Sequence, residues 1–292
     1  MSPRDLLIAL VIVLVWGLNF IAIKWGVALV PPLLLTALRY VFAAIPAVFF
    51  VPRPRVRLST LLLYGTAVGV LQFGSLFVAI KLGMPAGLSS LVIQMQAFFT
   101  MAFAAVLLGD RPGRFQLIGA LVALAGIALI ALERLSGTAL LPLLLTLAGA
   151  AFWGVANIAT KRAGKIDMLG FVVWSALVPP IPLIALSLLT EGAAADWAAL
   201  SHPSWLLAGI VGFNAYAATL IGFGLWSVLL ARYPASTVVP FSLLVPVVGI
   251  TSGVLLLGEP LSPFEAIGSA IVFIGLLLNV FGARLALRLA VS

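Results

Sequence analysis

The chain has 292 residues, of which 64% are hydrophobic and only 8% charged. Globular domains carry roughly 25% charged residues, and a soluble fold of this length leaves too much surface in water to hide so apolar a chain; lipid is the solvent that fits. The formal charge of +8 would suggest nucleic acid in a soluble protein, but here the basic residues stand between apolar runs, so nucleic acid is excluded as a partner and the bilayer is expected in its place.

A spanning helix needs about 20 mostly apolar residues, and ten such runs are predicted: 5–25, 32–51, 60–81, 86–109, 114–132, 139–160, 168–189, 204–230, 235–257 and 264–284. The first opens like a signal peptide after Asp5, but no small-x-small cleavage site follows and the run continues to Lys24, so it counts as a spanning helix. It carries Trp16 and Asn19. Arg39 lies inside the second run, about seven residues from its outer end, where an arginine must pair with backbone carbonyls or reach water. The third carries Gly65, Gly69, Gln72 and Ser75, the last two three apart and so on one face. Gln94 and Gln96 lie two apart in the fourth, so one is expected to line a cavity and the other to pair between helices. Trp153, Asn157 and Lys161 follow in the sixth, and Trp174 with Pro179, Pro180 and Pro182 in the seventh. In the eighth, Asn214 and Tyr216 diverge, whereas Tyr216 and Thr219 are expected to share a face. Short turns such as Pro31-Pro32, Gly83-Met84-Pro85, Pro112-Gly113 and Ser136-Gly137 join the runs, and Glu191–Pro203 reads as the one longer loop.

With the N-terminus in the cytoplasm, twelve of the sixteen basic residues fall on that side: Arg4, Arg53, Arg55, Arg57, Arg111, Arg114, Lys161, Arg162, Lys165, Arg232, Arg284 and Arg288. Lys24, Lys81 and Arg134 fall outside. This bias puts both termini in the cytoplasm.

The halves resemble each other. Leu107-Leu108-Gly109-Asp110, then Phe115, Gly119 and Gly126, matches Leu256-Leu257-Gly258-Glu259, then Phe264, Gly268 and Gly275, at a constant offset of 149 that begins at Pro85/Pro234. Trp16-Gly17 with Lys24 matches Trp153-Gly154 with Lys161 at an offset of 137, and one insertion near Glu191–Pro203 accounts for the difference. The expected repeats are 1–134 and 138–292. Five spans is an odd number, so the second repeat must enter the bilayer from the opposite side, an arrangement common in secondary transporters. The fold class is therefore all-α, with ten transmembrane helices in two inverted five-helix repeats.

The paired Trp-Gly motifs with a lysine eight residues beyond tryptophan, Arg39 in the second helix, and the Leu-Leu-Gly-Asp/Glu segments resemble the EamA-type branch of the drug/metabolite transporter superfamily. The likeness covers nearly the whole chain and extends to the amino-acid exporters of bacterial inner membranes, including the aromatic amino-acid type. It implies that the first four helices of each half surround a cavity, with the fifth and tenth peripheral. Two positions depart from the symmetry: Arg39 has Ala176 as its mate, and Asn19 has Ala156, with Asn157 one place later.

Polar groups inside a lipid-embedded bundle must face protein, cavity water or substrate. The candidate cavity residues are Trp16, Asn19, Gln72, Ser75, Gln94, Trp153, Asn157, Asn214 and Tyr216. An amide beside an indole suits a zwitterion, and the same asparagines also suit helix–helix hydrogen bonds. Lys24, Arg39 and Lys161 are read as entrance or structural charges; the two lysines can snorkel or attract a carboxylate at each mouth. No P-loop, zinc spacing or cysteine occurs, and the one histidine, His202, is placed in a loop, so neither an enzyme, a metal nor a cofactor is expected. No acid lies in mid-span, which points to facilitated transport or exchange without obligatory proton coupling. The expected substrate is a small molecule, an amino acid foremost. The rival readings are a drug or nucleotide-sugar facilitator and a channel or structural membrane protein.

Overall fold

The computed structural model describes residues 1–134, 140–164, 166–202 and 204–289. The Ser136-Gly137 turn, Lys165 and Pro203 lie outside the described residues. Every regular element among them is helical, and ten helices are long and apolar enough to cross a membrane. They are α1 (Pro3–Leu29), α2 (Pro32–Phe49), α3 (Leu58–Lys81), α4 (Ala86–Leu108), α5 (Arg114–Glu133), α6 (Leu140–Ala163), α7 (Met168–Ser201), α8 (Trp205–Arg232), α9 (Val239–Leu257) and α10 (Pro263–Gly282).

Local chemistry sets the ends. At the start of α1, Ser2 accepts from the Asp5 amide at 3.2 Å while Pro3 occupies a first-turn position whose N–H has no helical partner anyway. Pro32 does the same for α2. Gly109 and Gly258 end α4 and α9 in the left-handed region (φ 71° and 62°), where only glycine carries no steric cost.

Several helices are less regular than a 3.6-residue period implies. α3 is π-helical over Gly65–Phe73, and α8 over Phe213–Ile221, the same stretch at nearly the repeat offset. α7 breaks at 176–179, where Pro179 and Pro180 cannot supply ladder N–H groups. It turns again at Gly192 (φ 99°) and continues as a short helix, Ala193–Ser201. The expected loop at Glu191–Pro203 is thus largely helical: its alanines favour helix, and the turn itself needs only one glycine. Trp197 and Trp205 stand 73% and 94% exposed around this turn, as residues anchoring a bundle at a membrane interface do.

Packing repeats when the halves are exchanged. α5 and α10 pack mainly on each other and run antiparallel. A Cβ on Gly119 would lie 2.5 Å from the Gly275 carbonyl, and one on Gly126 would lie 2.6 Å from that of Gly268. Small residues let these backbones meet, and each pair becomes the other under the 149-residue register. α1 packs on α9 and α8; α6 packs on α4 and α3. Gly17 faces Val248 of α9, and its mate Gly154 faces Phe99 of α4, itself the mate of Val248. α4 and α9 also meet at short 3-10 segments, Ile93–Met95 and Val239–Leu243.

One contact breaks the pattern. The start of α4 packs closely on the end of α9, with Gly87 against Gly249 and Ile250 and the Gly87 amide against Gly253. The mate of this contact, the start of α9 on the end of α4, is not formed to a comparable extent among the described residues. Val238 packs instead on Ala9, Ile12 and Leu229 of α1 and α8.

Candidate functional site

Arg39 is 2% exposed at the junction of α2, α3, α7 and α8. Its guanidinium lies 3.9 Å from the Phe73 ring centroid and 5.8 Å from that of Tyr40. Its Nε donates to Thr219 Oγ1 at 3.2 Å, and that hydroxyl donates to the Asn214 carbonyl at 2.8 Å. The second bond exists because the π-helix puts residues five apart on one face. Nη1 has no partner, and no acid pairs with Arg39 among the described residues. A cavity of about 20 Å³ opens here, lined among others by Tyr64, Ser175, Ala176, Thr219 and Phe223. Ser175 Oγ is buried and also unpartnered.

The wide turn corrects one expectation. Tyr216 and Thr219 do not share a face: Tyr216 is 40% exposed and Thr219 2%. Asn214 and Thr219 lie together instead, with Tyr216 turned away from them. Asn214 is fully buried; its Nδ2 donates to Ile210 O, and its Oδ1 has no partner.

A polar seam joins α4, α6 and α9. Asn157 Nδ2 donates to Gln96 Oε1 at 2.8 Å and to Thr100 Oγ1 at 3.0 Å. Gln94 Nε2 donates to the Ser242 carbonyl at 3.1 Å. Both glutamines therefore join helices, where one was expected to face a cavity, because each looks onto a different neighbour, α6 or α9. Trp16 donates its indole N–H to Ala218 O at 3.0 Å and packs on Phe223 and Trp226, so it joins α1 to α8. Its mate Trp153 is half-buried against the core. Asn19 and Gln72 are buried with unpartnered side-chain oxygens, and Ser75 is half-buried. Trp174 donates to Val51 O at 3.0 Å. The candidates thus form an Arg39 junction, an Asn157 seam and a Trp16 contact with α8, plus isolated buried amides.

At the ends of the bundle, carboxylates meet helix N-termini. Glu259 accepts from the Ala86 and Gly87 amides at 2.7 and 3.0 Å, satisfying two donors that open α4. Glu191 does so for α2, accepting from Leu33 N at 2.9 Å. Asp110, the mate of Glu259, makes no such cap among the described residues; it pairs with Lys161, both side chains about half exposed. Lys24, the mate of Lys161, is half-buried with no polar partner among the described residues. Composition does not single these acids out; the register of Asp110 against Glu259 could have. A groove of about 870 Å³ beside Glu191, Lys81 and His202 is lined by none of the candidate residues.

The pattern of the EamA-like transporter family is matched twice, over residues 4–132 and 140–281. The chain belongs to this family. The two EamA matches cover α1–α5 and most of α6–α10, and they make the chain a multi-pass membrane transporter. It is 44% identical over 290 residues, 97% of each chain, to a protein of Salmonella typhimurium named "Probable amino-acid metabolite efflux pump", and 43% identical to one of the same name in Escherichia coli K12, with the same coverage. A "Probable terminal-alkyne amino-acid exporter" of Streptantibioticus cattleyicolor is 29% identical over 275 residues, 91% of this chain and 90% of that one. One crystal structure shares the EamA chain's fold with a TM-score of 0.65, covering 97% of this chain and 98% of that one at 21% identity.

Proposed function

We propose that this transporter exports amino acids or related small metabolites across a bacterial inner membrane by alternating access of two inverted five-helix halves, 1–134 and 138–292. Both termini lie in the cytoplasm, and transport needs no obligatory proton. The names of the 43–44% identical relatives support the substrate class. The exchange of contacts between halves and the antiparallel α5–α10 pair support an in-plane two-fold relation.

The observation that carries the mechanism is the one-sided closure. Glu259 holds the start of α4 against α9, while at the opposite end its mate Asp110 pairs with Lys161 and the helices pack less closely among the described residues. The charge bias assigns the open end to the cytoplasm. Exchanging the halves then describes the outward-open state. Asp110 caps the start of α9 at residues 235 and 236, the mates of Ala86 and Gly87, and Glu259 moves to Lys24. Like interactions replace like, so the two states stay within a few kcal/mol and a substrate can shift the balance.

The test is counterflow in proteoliposomes with labelled amino acids. Saturable, trans-stimulated flux unchanged by a pH gradient is expected. Linear flux would mark a channel, and flux that vanishes without the gradient would remove the uncoupled reading.

A further inference from the structure

We propose that Arg39 and Ser175 form the subsite that takes the carboxylate of the transported amino acid, at the crossing of α2 and α7. This rests on the amino-acid reading above. The site is assigned from two independent sets of observations.

The first is electrostatic. A guanidinium stays charged, and burying a cation costs several kcal/mol unless it is paired. Arg39 has a ring face and one hydroxyl, but Nη1 has no acceptor and no acid pairs with it among the described residues. Ser175 lines the same cavity, and its Oγ is a second buried group without a partner. A planar monoanion meets both: a carboxylate accepts from the guanidinium edge and from the hydroxyl. One cation in an aromatic pocket balances one negative charge, so a phosphate dianion would leave an unmatched charge.

The second is architectural. Three helices around Arg39 lose regular α-structure at its level: Gly65–Phe73 and Phe213–Ile221 are π-helical, and α7 breaks at 176–179. Such interruptions cluster at functional sites. Arg39 and its repeat mate Ala176 line one cavity, so the site lies where the two halves meet. That is the position from which one bound group can be presented to either side. At about 20 Å³ the cavity is closed around room for one water. The irregular segments supply part of its walls, including Gly65, which packs on the Ser175 carbonyl.

Thermal unfolding of the detergent-solubilised protein is measured with formate, the smallest carboxylate, against equal chloride. A saturable rise in midpoint specific to formate is expected in the native chain, weaker in Ser175→Ala and Arg39→Lys, and absent in Arg39→Gln. Equal response of the native chain and Arg39→Gln overturns the site. If Arg39→Gln does not fold, an undiminished formate response in Ser175→Ala and Arg39→Lys overturns it. Counterflow then compares an amino acid with its methyl ester. The native chain is expected to prefer the acid by about 10-fold or more, a preference lost in Arg39→Lys and Ser175→Ala through KM. Equal transport of acid and ester overturns the assignment to substrate. Absence of any amino-acid flux, with the formate response intact, removes the amino-acid reading and leaves a carboxylate site that serves a free anion.

Discussion

At the scale of the residue, the amides divide by what they touch. Asn157 gives its donors to Gln96 and Thr100 across the α4–α6 contact. Interhelical hydrogen bonds in membranes average about 0.6 kcal/mol each, so Asn157→Ala is expected to lower stability by about 1 kcal/mol. A lowered unfolding midpoint with substrate KM unchanged would fit that role; a changed KM with the midpoint intact would make Asn157 a substrate ligand. Asn19 is the opposite case, buried with an oxygen that nothing satisfies. Asn19→Leu is therefore expected to leave stability within about 1 kcal/mol while reducing flux, because removing an unsatisfied polar group costs little. A large loss of stability would refute this. Both asparagines were visible as polar residues in apolar runs; that Asn157 meets Thr100 was not, since Thr100 looks ordinary until another helix lies against it.

At the scale of the element, glycine decides which helices can touch. The α5–α10 stripe was legible as Gly119, Gly126, Gly268 and Gly275, and the structure sets them backbone to backbone. A methyl on Gly126 would meet the Gly268 carbonyl at 2.6 Å, so Gly126→Ala is expected to cost about 1–3 kcal/mol. Gly209→Ala is the control: nothing lies within 4 Å of its added Cβ, and alanine favours helix, so it should be neutral or stabilising. Comparable unfolding midpoints for the two variants would refute close packing as the cause. The π-helical stretches were not legible. Gly65–Phe73 and Phe213–Ile221 contain no proline and read as plain helix, and only the packing around Arg39 rewards the wider turn. This is why Tyr216 was placed beside Thr219 and proved to face outward.

At the scale of the whole molecule, the proposed alternating access makes the structure one member of a pair of states. The absence of cysteine makes accessibility a clean readout, since any introduced thiol is the only one. Ser90 is fully buried where α4 meets α9. Ser90→Cys is expected to resist a membrane-impermeant maleimide, and adding Glu259→Gln should raise labelling several-fold by weakening the charge-assisted caps on Ala86 and Gly87. Asp110→Asn should lower labelling by disfavouring the opposite state. Labelling indifferent to both substitutions would rule out these acids as the latches.

Sequence alone determined the solvent, the number of spans, the duplication and the family, because these follow from run length, charge placement and register, which are properties of the chain in order. It also located Arg39 as an anomaly. Tertiary structure alone decided which carboxylate caps which helix, which amides are spent on neighbours, where the period widens, and at which end α4 and α9 pack more closely. Those depend on groups 50 to 230 positions apart meeting in space: Glu259 with Ala86 is separated by 173 residues, and Arg39 with Thr219 by 180. Under the proposed alternating access, halves that share a register can pack in two related ways, so no local pattern in either half specifies which of the two is adopted.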